Sequence, residues 1–99
     1  MTSRPSAPTR TSVHVTVRYW ASARAVAGCD SERFDVHVGG VHVGRVNVGD
    51  VLAAAAAAHT GLSVVLDVSS ILLDGRAVTA SEPLTEGAIL EVLPPFAGG

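Results

Sequence analysis

The chain has 99 residues, of which 47% are hydrophobic and 16% are charged, a composition typical of one small globular domain rather than a disordered chain. No apolar run approaches the ~20 residues that a bilayer-spanning helix requires. The N-terminus lacks the apolar stretch of a signal peptide. We therefore expect a soluble, cytoplasmic protein without a membrane partner.

The balance of charged residues indicates which class of partner the protein can bind. All seven basic residues are arginine, and residues 12–99 carry five arginines and nine carboxylates, a net charge of −4. Because nucleic-acid binding depends on neutralised phosphates, this balance argues against a nucleic-acid partner and favours a partner with a basic surface.

The single cysteine, Cys29, excludes an internal disulfide and a multi-cysteine zinc site. A buried or unreactive thiol is favoured there over a reactive one.

The first part of the chain predicts a tail, two strands and a short helix. Residues 1–11 are rich in Pro, Ser, Thr and Arg and predict a flexible tail. Apolar and polar residues alternate over 13–19, the period-2 pattern of a half-buried strand. The alanine-rich residues 20–27 precede Gly28 and predict a short helix or turn. Alternation returns over 33–38, which predicts a second strand with one apolar face, formed by Phe34, Val36 and Val38.

Three near-copies of one triplet follow. Residues 36–48 read VHVGGVHVGRVNV, with a five-residue spacing between the copies. Gly39-Gly40 between two alternating segments is a two-residue hairpin signal. We therefore predict that the second strand is long and folds into a small hairpin or bulged loop.

The principal helix has clear start signals. Asn47 can cap it, and Asp50 stands where the second half of a capping box is expected. Residues 53–58 are six alanines, the strongest helix former, and Gly61 is placed to end the helix. One stripe at helical spacing predicts packing on a sheet; it consists of Val48, Val51, Leu52, Ala55 and His59.

The last third of the chain predicts further strands. Residues 62–68 and 71–73 are strand-like, and Asp74-Gly75 predicts a hairpin turn before 76–78. Residues 81–87 predict a turn or a single helical turn. Residues 88–93 predict a last strand, with Leu90 and Val92 facing the core and Glu91 outward. The order of elements predicts an α+β domain over residues 12–93, with one principal helix on a mixed sheet.

Side chains that could carry chemistry are few. The sequence contains no P-loop, GxGxxG, nucleophile elbow, HExxH or EF-hand loop. His14, His37 and His42 stand in VHV triplets, and we interpret them as exposed strand residues rather than metal ligands. His59 is placed near a helix C-terminus, where a cation is favourable. The acidic pairs predict solvated turn residues; they are Asp30 with Glu32 and Glu82 with Glu86.

The C-terminal segment, residues 94–99, is different. Pro94 and Pro95 stop ladder pairing and stiffen the exit from the last strand. Phe96 is an apolar residue beyond the last predicted core position, and Gly98 and Gly99 allow the backbone to approach a narrow channel closely. This segment predicts a tail that inserts a terminal carboxylate into a site on another protein.

These features together resemble the ubiquitin-like β-grasp sulfur carriers, and in particular the molybdopterin synthase small-subunit family. The resemblance covers residues 13–99. It includes the opening segment with Trp20, Ala21, Arg24 and Gly28, the helix start VNVGDVL, the hairpin ILLDGRAV and, most specifically, the ending PLTEGAILEVLPPFAGG. The sequence departs from the family at Ala25, where an acidic residue is usual, and in an insertion before the helix.

The resemblance implies a β-grasp fold and a sulfur carrier with no bound cofactor and no catalysis of its own. An ATP-dependent activating enzyme would adenylate Gly99, and a sulfur donor protein would convert the adenylate to a thiocarboxylate. This group would enter the synthase large subunit and supply sulfur to cyclic pyranopterin monophosphate for molybdenum cofactor. The residues implied to contact the large subunit are Leu93, Pro94, Pro95, Phe96, Ala97 and Gly98.

Two alternatives stay open at this point. A carrier of the same fold could deliver sulfur to cysteine, thiamin thiazole or tRNA. A β-grasp interaction domain with an inert terminus would belong to a different functional class.

Overall fold

The computed structural model describes residues 12–37 and 46–95. Over these residues the chain forms seven strands and three helices. In chain order they are β1 (Ser12–Tyr19), α1 (Ala21–Ala27), β2 (Ser31–His37), β3 (Val46–Asn47), α2 (Val48–Ala58), α3 (Leu62–Val68), β4 (Ser70–Leu73), β5 (Arg76–Ala77), β6 (Pro83–Leu84) and β7 (Ala88–Leu93).

Five of the strands form one mixed sheet in the order β2-β1-β7-β4-β5. The central strands β1 and β7 are parallel, with Val15 opposite Ala88 and Tyr19 opposite Val92. The other neighbours pair antiparallel. This is the ubiquitin-like β-grasp arrangement, so the predicted α+β class and mixed sheet are confirmed. The principal helix is α2, which is accompanied by two seven-residue helices, α1 and α3.

The core lies between one face of this sheet and the helices. Alternation along β1 and β7 buries every second residue, as predicted for Leu90 and Val92. Residues from the helices complete the same buried cluster, including Val51 and Ala55 of α2 and Leu62 of α3. The helices therefore lie on one side of the sheet, where α1 and α2 contact its strands and α3 packs against these two helices. No described element covers the other face.

The start of α2 confirms the predicted capping box. The Asn47 side chain accepts a hydrogen bond from the Asp50 backbone N–H, and the Asp50 carboxylate accepts one from the Asn47 N–H, both at 2.9 Å. These bonds satisfy two donors that a helix start otherwise leaves unpaired. The predicted end was wrong: α2 ends at Ala58 with His59 as its C-cap, and Gly61 (φ 90°) instead begins α3.

The strand predicted over residues 62–68 is helix α3. Leu62 is buried and Val65 and Leu66 are half-buried, whereas Val64 and Val68 are exposed. This i, i+3, i+4 spacing is helical, and a strand would instead have buried alternate residues. Short apolar runs fit both periods, and the β-branched valines favoured the wrong one.

The turns were predicted with mixed success. The hairpin at Asp74-Gly75 is confirmed: both residues have positive φ (47° and 91°), and Leu73 pairs with Arg76. Within 81–87, predicted as a turn, Pro83–Leu84 forms β6 and pairs with β3. The third triplet therefore pairs with β6 and not with the second strand. The hairpin predicted at Gly39-Gly40, like residues 1–11, lies outside the described residues.

Within the described part of the chain, no helix has the length and apolar character needed to span a bilayer.

The capping box predicts the stability effect of Asn47→Ala. Removing the cap leaves the Asp50 N–H without its partner, and we expect a loss of about 1 kcal/mol in the free energy of unfolding. Urea unfolding followed by circular dichroism measures this loss. Thr60→Ala is the matched control, since Thr60 is exposed and should change stability by less than about 0.5 kcal/mol. Equal losses in both variants would contradict the role of the cap.

Candidate functional site

The site is the end of β7, where the chain leaves the sheet. Val92 pairs with Tyr19 on one side, and Leu93 pairs with Ser70 on the other. Pro94 has no N–H to continue either ladder, so pairing stops there for a covalent reason. The chain therefore leaves β7 in the middle of the sheet, between β1 and β4, rather than at an edge.

The sheet face that the helices leave uncovered lies around the point where the chain leaves β7. We call it the open face and define its apolar part as Trp20, Leu72, Ile89 and Leu93. Ile89 is 43% exposed and Trp20 is 39% exposed, which is high for large apolar side chains. Leu72 and Leu93 are half-buried. Exposed apolar side chains grouped on one face are typical of a protein–protein contact surface.

A charged pair holds Trp20 beside the exit. The Trp20 backbone N–H donates to the Val92 carbonyl at 3.2 Å, and its indole N–H donates to Glu91 Oε2 at 3.3 Å. Arg18 Nη1 lies 3.6 Å from the same Glu91 oxygen, and its guanidinium lies 5.1 Å from the centre of the indole ring. These contacts restrict the indole to one orientation, next to the last paired residues of β7.

A second polar group lies on the helix side of the same sheet end. The Tyr19 hydroxyl donates to Glu32 Oε1 at 2.7 Å, and His59 Nε2 hydrogen-bonds the same oxygen. The ring of His59 meets that of Tyr19 edge-on, with centroids 6.1 Å apart. Cys29, in the turn after α1, completes the group, which we call the rim cluster: Tyr19, Cys29, Glu32 and His59.

The rim cluster changes the acidity of two of its members. Burial raises the pKa of Tyr19 well above its usual value, and the hydrogen bond to Glu32 and the charge of that carboxylate raise it further. The pKa of the Cys29 thiol is also raised, first by burial and then by the charges of Glu32 and Asp30. Both groups are therefore held in their protonated, neutral forms at neutral pH.

The structure places only part of the predicted tail site. Leu93 and Pro94 are half-buried at the end of the sheet, and Pro95 is exposed. The remaining predicted site residues lie outside the described residues; they are Phe96, Ala97, Gly98 and Gly99. Tyr19 and Trp20 face opposite sides of the sheet, since Tyr19 is 2% exposed and belongs to the core whereas Trp20 is 39% exposed.

The histidines and acidic residues considered as candidates differ in their environments. His14 is half-buried on the open face, between Asp35 (Nε2–Oδ1 3.3 Å) and Glu86 (Nδ1–Oε2 2.8 Å). His42 lies outside the described residues. Glu32 was predicted as a solvated turn residue, which is wrong: it lies on β2, half-buried, opposite Val17. Glu32 has the same period-2 spacing as Phe34 and Val36, which places the three side chains on one face of β2. This spacing could have indicated the inward position of Glu32.

Comparison with known proteins identifies the family. The ThiS family pattern matches residues 17–99, from the middle of β1 through Gly99. The chain belongs to the ThiS family. It is accordingly a ubiquitin-like sulfur carrier. No curated protein sequence matches the chain.

Solved structures support the same fold. Small archaeal modifier protein 1 of Haloferax volcanii is 31% identical with a TM-score of 0.74, over 87% of this chain and 99% of that one. A Pyrococcus furiosus protein provisionally assigned as molybdopterin converting factor subunit 1 is 27% identical with a TM-score of 0.72, over 84% and 98%. A complex of subunits 1 and 2 of that factor from Helicobacter pylori matches at 23% and 0.57, over 88% and 100%, which shows the fold alone.

The rim cluster predicts how the only tyrosine titrates. Because the folded-state pKa of Tyr19 is raised, its stabilising contribution is complete below the unfolded value of roughly 10 and is lost as the pH rises above it. We expect tyrosinate absorbance to develop only as the fold is lost, with circular dichroism recorded in parallel. The chain in urea, where Tyr19 is solvated, should titrate near 10. A midpoint near 10 with unchanged circular dichroism would contradict burial of this hydroxyl.

Proposed function

We propose that this ThiS-family chain is the sulfur-carrier subunit of molybdopterin synthase, with Gly99 as the reacting residue. Its carboxylate attacks the α-phosphate of ATP on an activating enzyme, which releases pyrophosphate and leaves an acyl adenylate. A sulfur nucleophile then displaces AMP, and the product is a thiocarboxylate. In the synthase the thiocarboxylate gives its sulfur to cyclic pyranopterin monophosphate, and water restores the carboxylate.

One observation carries the proposal: the family match runs through Gly99, and the described structure ends the ladder at Leu93, immediately before Pro94-Pro95. A carboxylate is a poor electrophile because it is ionised at neutral pH, so it reacts only after activation. A chain segment that leaves the middle of the sheet can present that carboxylate to a partner without opening the core. The likeness to the Pyrococcus furiosus protein supports molybdopterin as the pathway.

The open face supplies the docking surface in this proposal. It surrounds the start of the tail, so that one partner could contact the apolar side chains and receive the tail at once. Apolar anchors held in fixed rotamers lose little entropy on binding, and Trp20 is held in that way by Glu91 and Arg18. The large subunit of molybdopterin synthase is the proposed occupant, and its contact surface is expected to be basic.

A second candidate function follows from the higher identity to the archaeal modifier protein, 31%. The same acyl adenylate could react with an amine of another protein instead of a sulfur nucleophile, and the product would be an amide-linked conjugate. Both functions need activation of Gly99, and they differ in the nucleophile that follows.

The decisive experiment is the intact mass of the chain after incubation with ATP, a cognate activating enzyme and a sulfur source. We expect a gain equal to the replacement of one oxygen by sulfur, located at Gly99, absent without ATP and absent from a variant that lacks Gly99. That variant should keep its circular dichroism spectrum, because the tail follows the last strand. An unchanged mass, with the activating enzyme shown to be active on another carrier, would overturn the proposal.

The chain supplies a matched control for the residue to which sulfur is added. Cys29 is its only thiol, so Cys29→Ser separates a persulfide on the cysteine, which adds one sulfur, from a thiocarboxylate, which exchanges oxygen for sulfur. We expect the variant to show the same mass gain as the parent.

Addition of large subunit and cyclic pyranopterin monophosphate to the thiocarboxylate form should then yield molybdopterin. A thiocarboxylate that yields none would indicate another acceptor, and an amide-linked conjugate would indicate the modifier function.

The docking surface is tested by Ile89→Lys. An ammonium group pressed against an apolar and basic partner surface, which offers it no counter-charge, should weaken binding of the large subunit at least tenfold, measured by calorimetry. Val64→Lys is the matched control, since Val64 is 70% exposed on α3, on the opposite side of the molecule. It should leave the affinity unchanged. The reverse result, with loss only in the Val64 variant, would place the interface on the helices.

A further inference from the structure

Three ligand-bearing side chains converge at the rim cluster. One ligand atom from each of Cys29, Glu32 and His59 lies within 4.8 Å of the other two, and all three residues are half-buried. No other group of three or more His, Cys, Asp or Glu side chains within the described residues meets this spacing. His14 shows the contrast: it also meets two carboxylates, but on opposite ring nitrogens, so their oxygens do not converge on one point.

We propose that Cys29, Glu32 and His59 form a binding site for a divalent transition-metal ion, with Zn²⁺ as the best match. Thiolate sulfur, carboxylate oxygen and imidazole nitrogen are the three ligand types that Zn²⁺ uses in proteins. Three protein ligands leave one position of a tetrahedral ion for water or a ligand. The site is independent of the tail chemistry and rests on the rim cluster alone.

The charges balance when the metal binds. The Cys29 thiol loses its proton to solvent as the sulfur–metal bond forms. The proton in the hydrogen bond between His59 and Glu32 leaves Nε2 to solvent, and His59 binds through Nε2 as the neutral imidazole with its proton on Nδ1. The thiolate and the Glu32 carboxylate then carry two negative charges against the two positive charges of the ion. The hydrogen bond between His59 Nε2 and Glu32 Oε1 breaks, and Nε2 binds the metal instead. Glu32 binds the metal through Oε2, and its Oε1 keeps the hydrogen bond from the Tyr19 hydroxyl.

The surroundings of the ligands fit this use. Glu32 Oε1 already accepts the Tyr19 hydroxyl, which orients the carboxylate as an outer-shell donor does in metal sites. Within the part of the chain that the structure describes, Glu32 Oε2 and the Cys29 sulfur have no hydrogen-bond partner. Both atoms are thus available to a metal without loss of a bond that the fold needs.

The position of the site gives it a consequence for the fold. Cys29 lies in the turn after α1, Glu32 in β2, and His59 caps the end of α2. A bound ion would therefore join the segment between α1 and β2 to the end of α2, which lies 27 residues after Glu32 in the sequence. It would also hold Tyr19, whose strand neighbour Val92 lies just before the tail. We expect a metal-dependent gain in stability from this cross-link, since an ion that binds only the folded chain stabilises it.

Titration of the metal-free full-length chain with Co²⁺ and Zn²⁺ tests the proposal. Co²⁺ should bind one per chain and give the charge-transfer absorption of a cobalt–thiolate bond. Zn²⁺ should abolish that absorption, because it binds sites of this kind more tightly than Co²⁺. Calorimetry with Zn²⁺ should give one site per chain and a Kd in the micromolar range or tighter, and the melting temperature should rise with the metal.

Single variants assign the ligands. Cys29→Ser and His59→Gln should each weaken Zn²⁺ binding at least tenfold, and Cys29→Ser should remove the cobalt–thiolate absorption. His14→Gln is the matched control, a half-buried histidine that also contacts carboxylates, and it should bind like the parent. Circular dichroism checks the fold of each variant.

Three results would overturn the site. The first is a parent chain that binds Co²⁺ without a thiolate absorption or binds neither ion. The second is a folded Cys29→Ser variant with unchanged affinity. The third is loss of binding in His14→Gln alone, which would move the site to the VHV histidines. Should His59→Gln fail to fold, the cobalt spectrum of the parent and of Cys29→Ser still decides, because the Cys29 sulfur makes no hydrogen bond within the described residues.

Discussion

The parallel pairing of β1 with β7 is the constraint on which the rest of the structure depends. Two parallel strands cannot be joined by a tight turn, so the chain between them must cross over, and here it supplies the helices that cover one face. The pairing also places the C-terminal ends of both strands at the same end of the sheet. Trp20 and the rim cluster therefore stand beside the point where the chain leaves β7, although Trp20 and Glu91, for example, are 71 residues apart in sequence.

The two faces of the sheet have different roles as a result. One face is buried by apolar residues of the helices, and this burial provides the main driving force for folding. The other face keeps Ile89 and Trp20 exposed beside the charged pair of Arg18 and Glu91. Such a face adds little to the stability of the free chain, and its apolar side chains gain from burial only when a second surface covers them.

Local signals predicted most of the fold, and the failures have physical causes. Alternation identified β1 and β7, the pair Asn47 and Asp50 identified the start of α2, and Asp74-Gly75 identified a hairpin, because each signal depends on neighbouring residues alone. The prediction for residues 62–68 was wrong because a seven-residue valine-rich run fits both periods, and only packing against α1 and α2 selects the helix. The prediction for Glu32 was wrong for a different reason. Its period-2 spacing with Phe34 and Val36 is compatible with an inward position, but the partners that stabilise a carboxylate there, Tyr19 and His59, are distant in sequence and no local pattern associates them with it.

The rim cluster follows from the burial of Tyr19. A tyrosine that fills the core at the end of β1 must satisfy its hydroxyl, because an unpaired buried hydroxyl costs roughly 1–3 kcal/mol. Glu32 provides the acceptor from the adjacent strand, and the half-buried carboxylate in turn needs further donors, one of which is His59 at the end of α2. Each partner thus creates the requirement that the next one meets. Cys29 completes the half-buried group, and its sulfur and Glu32 Oε2 have no hydrogen-bond partner within the described residues, so both can bind an ion. The contacts that complete the core therefore also bring together the three side chains of the proposed metal site.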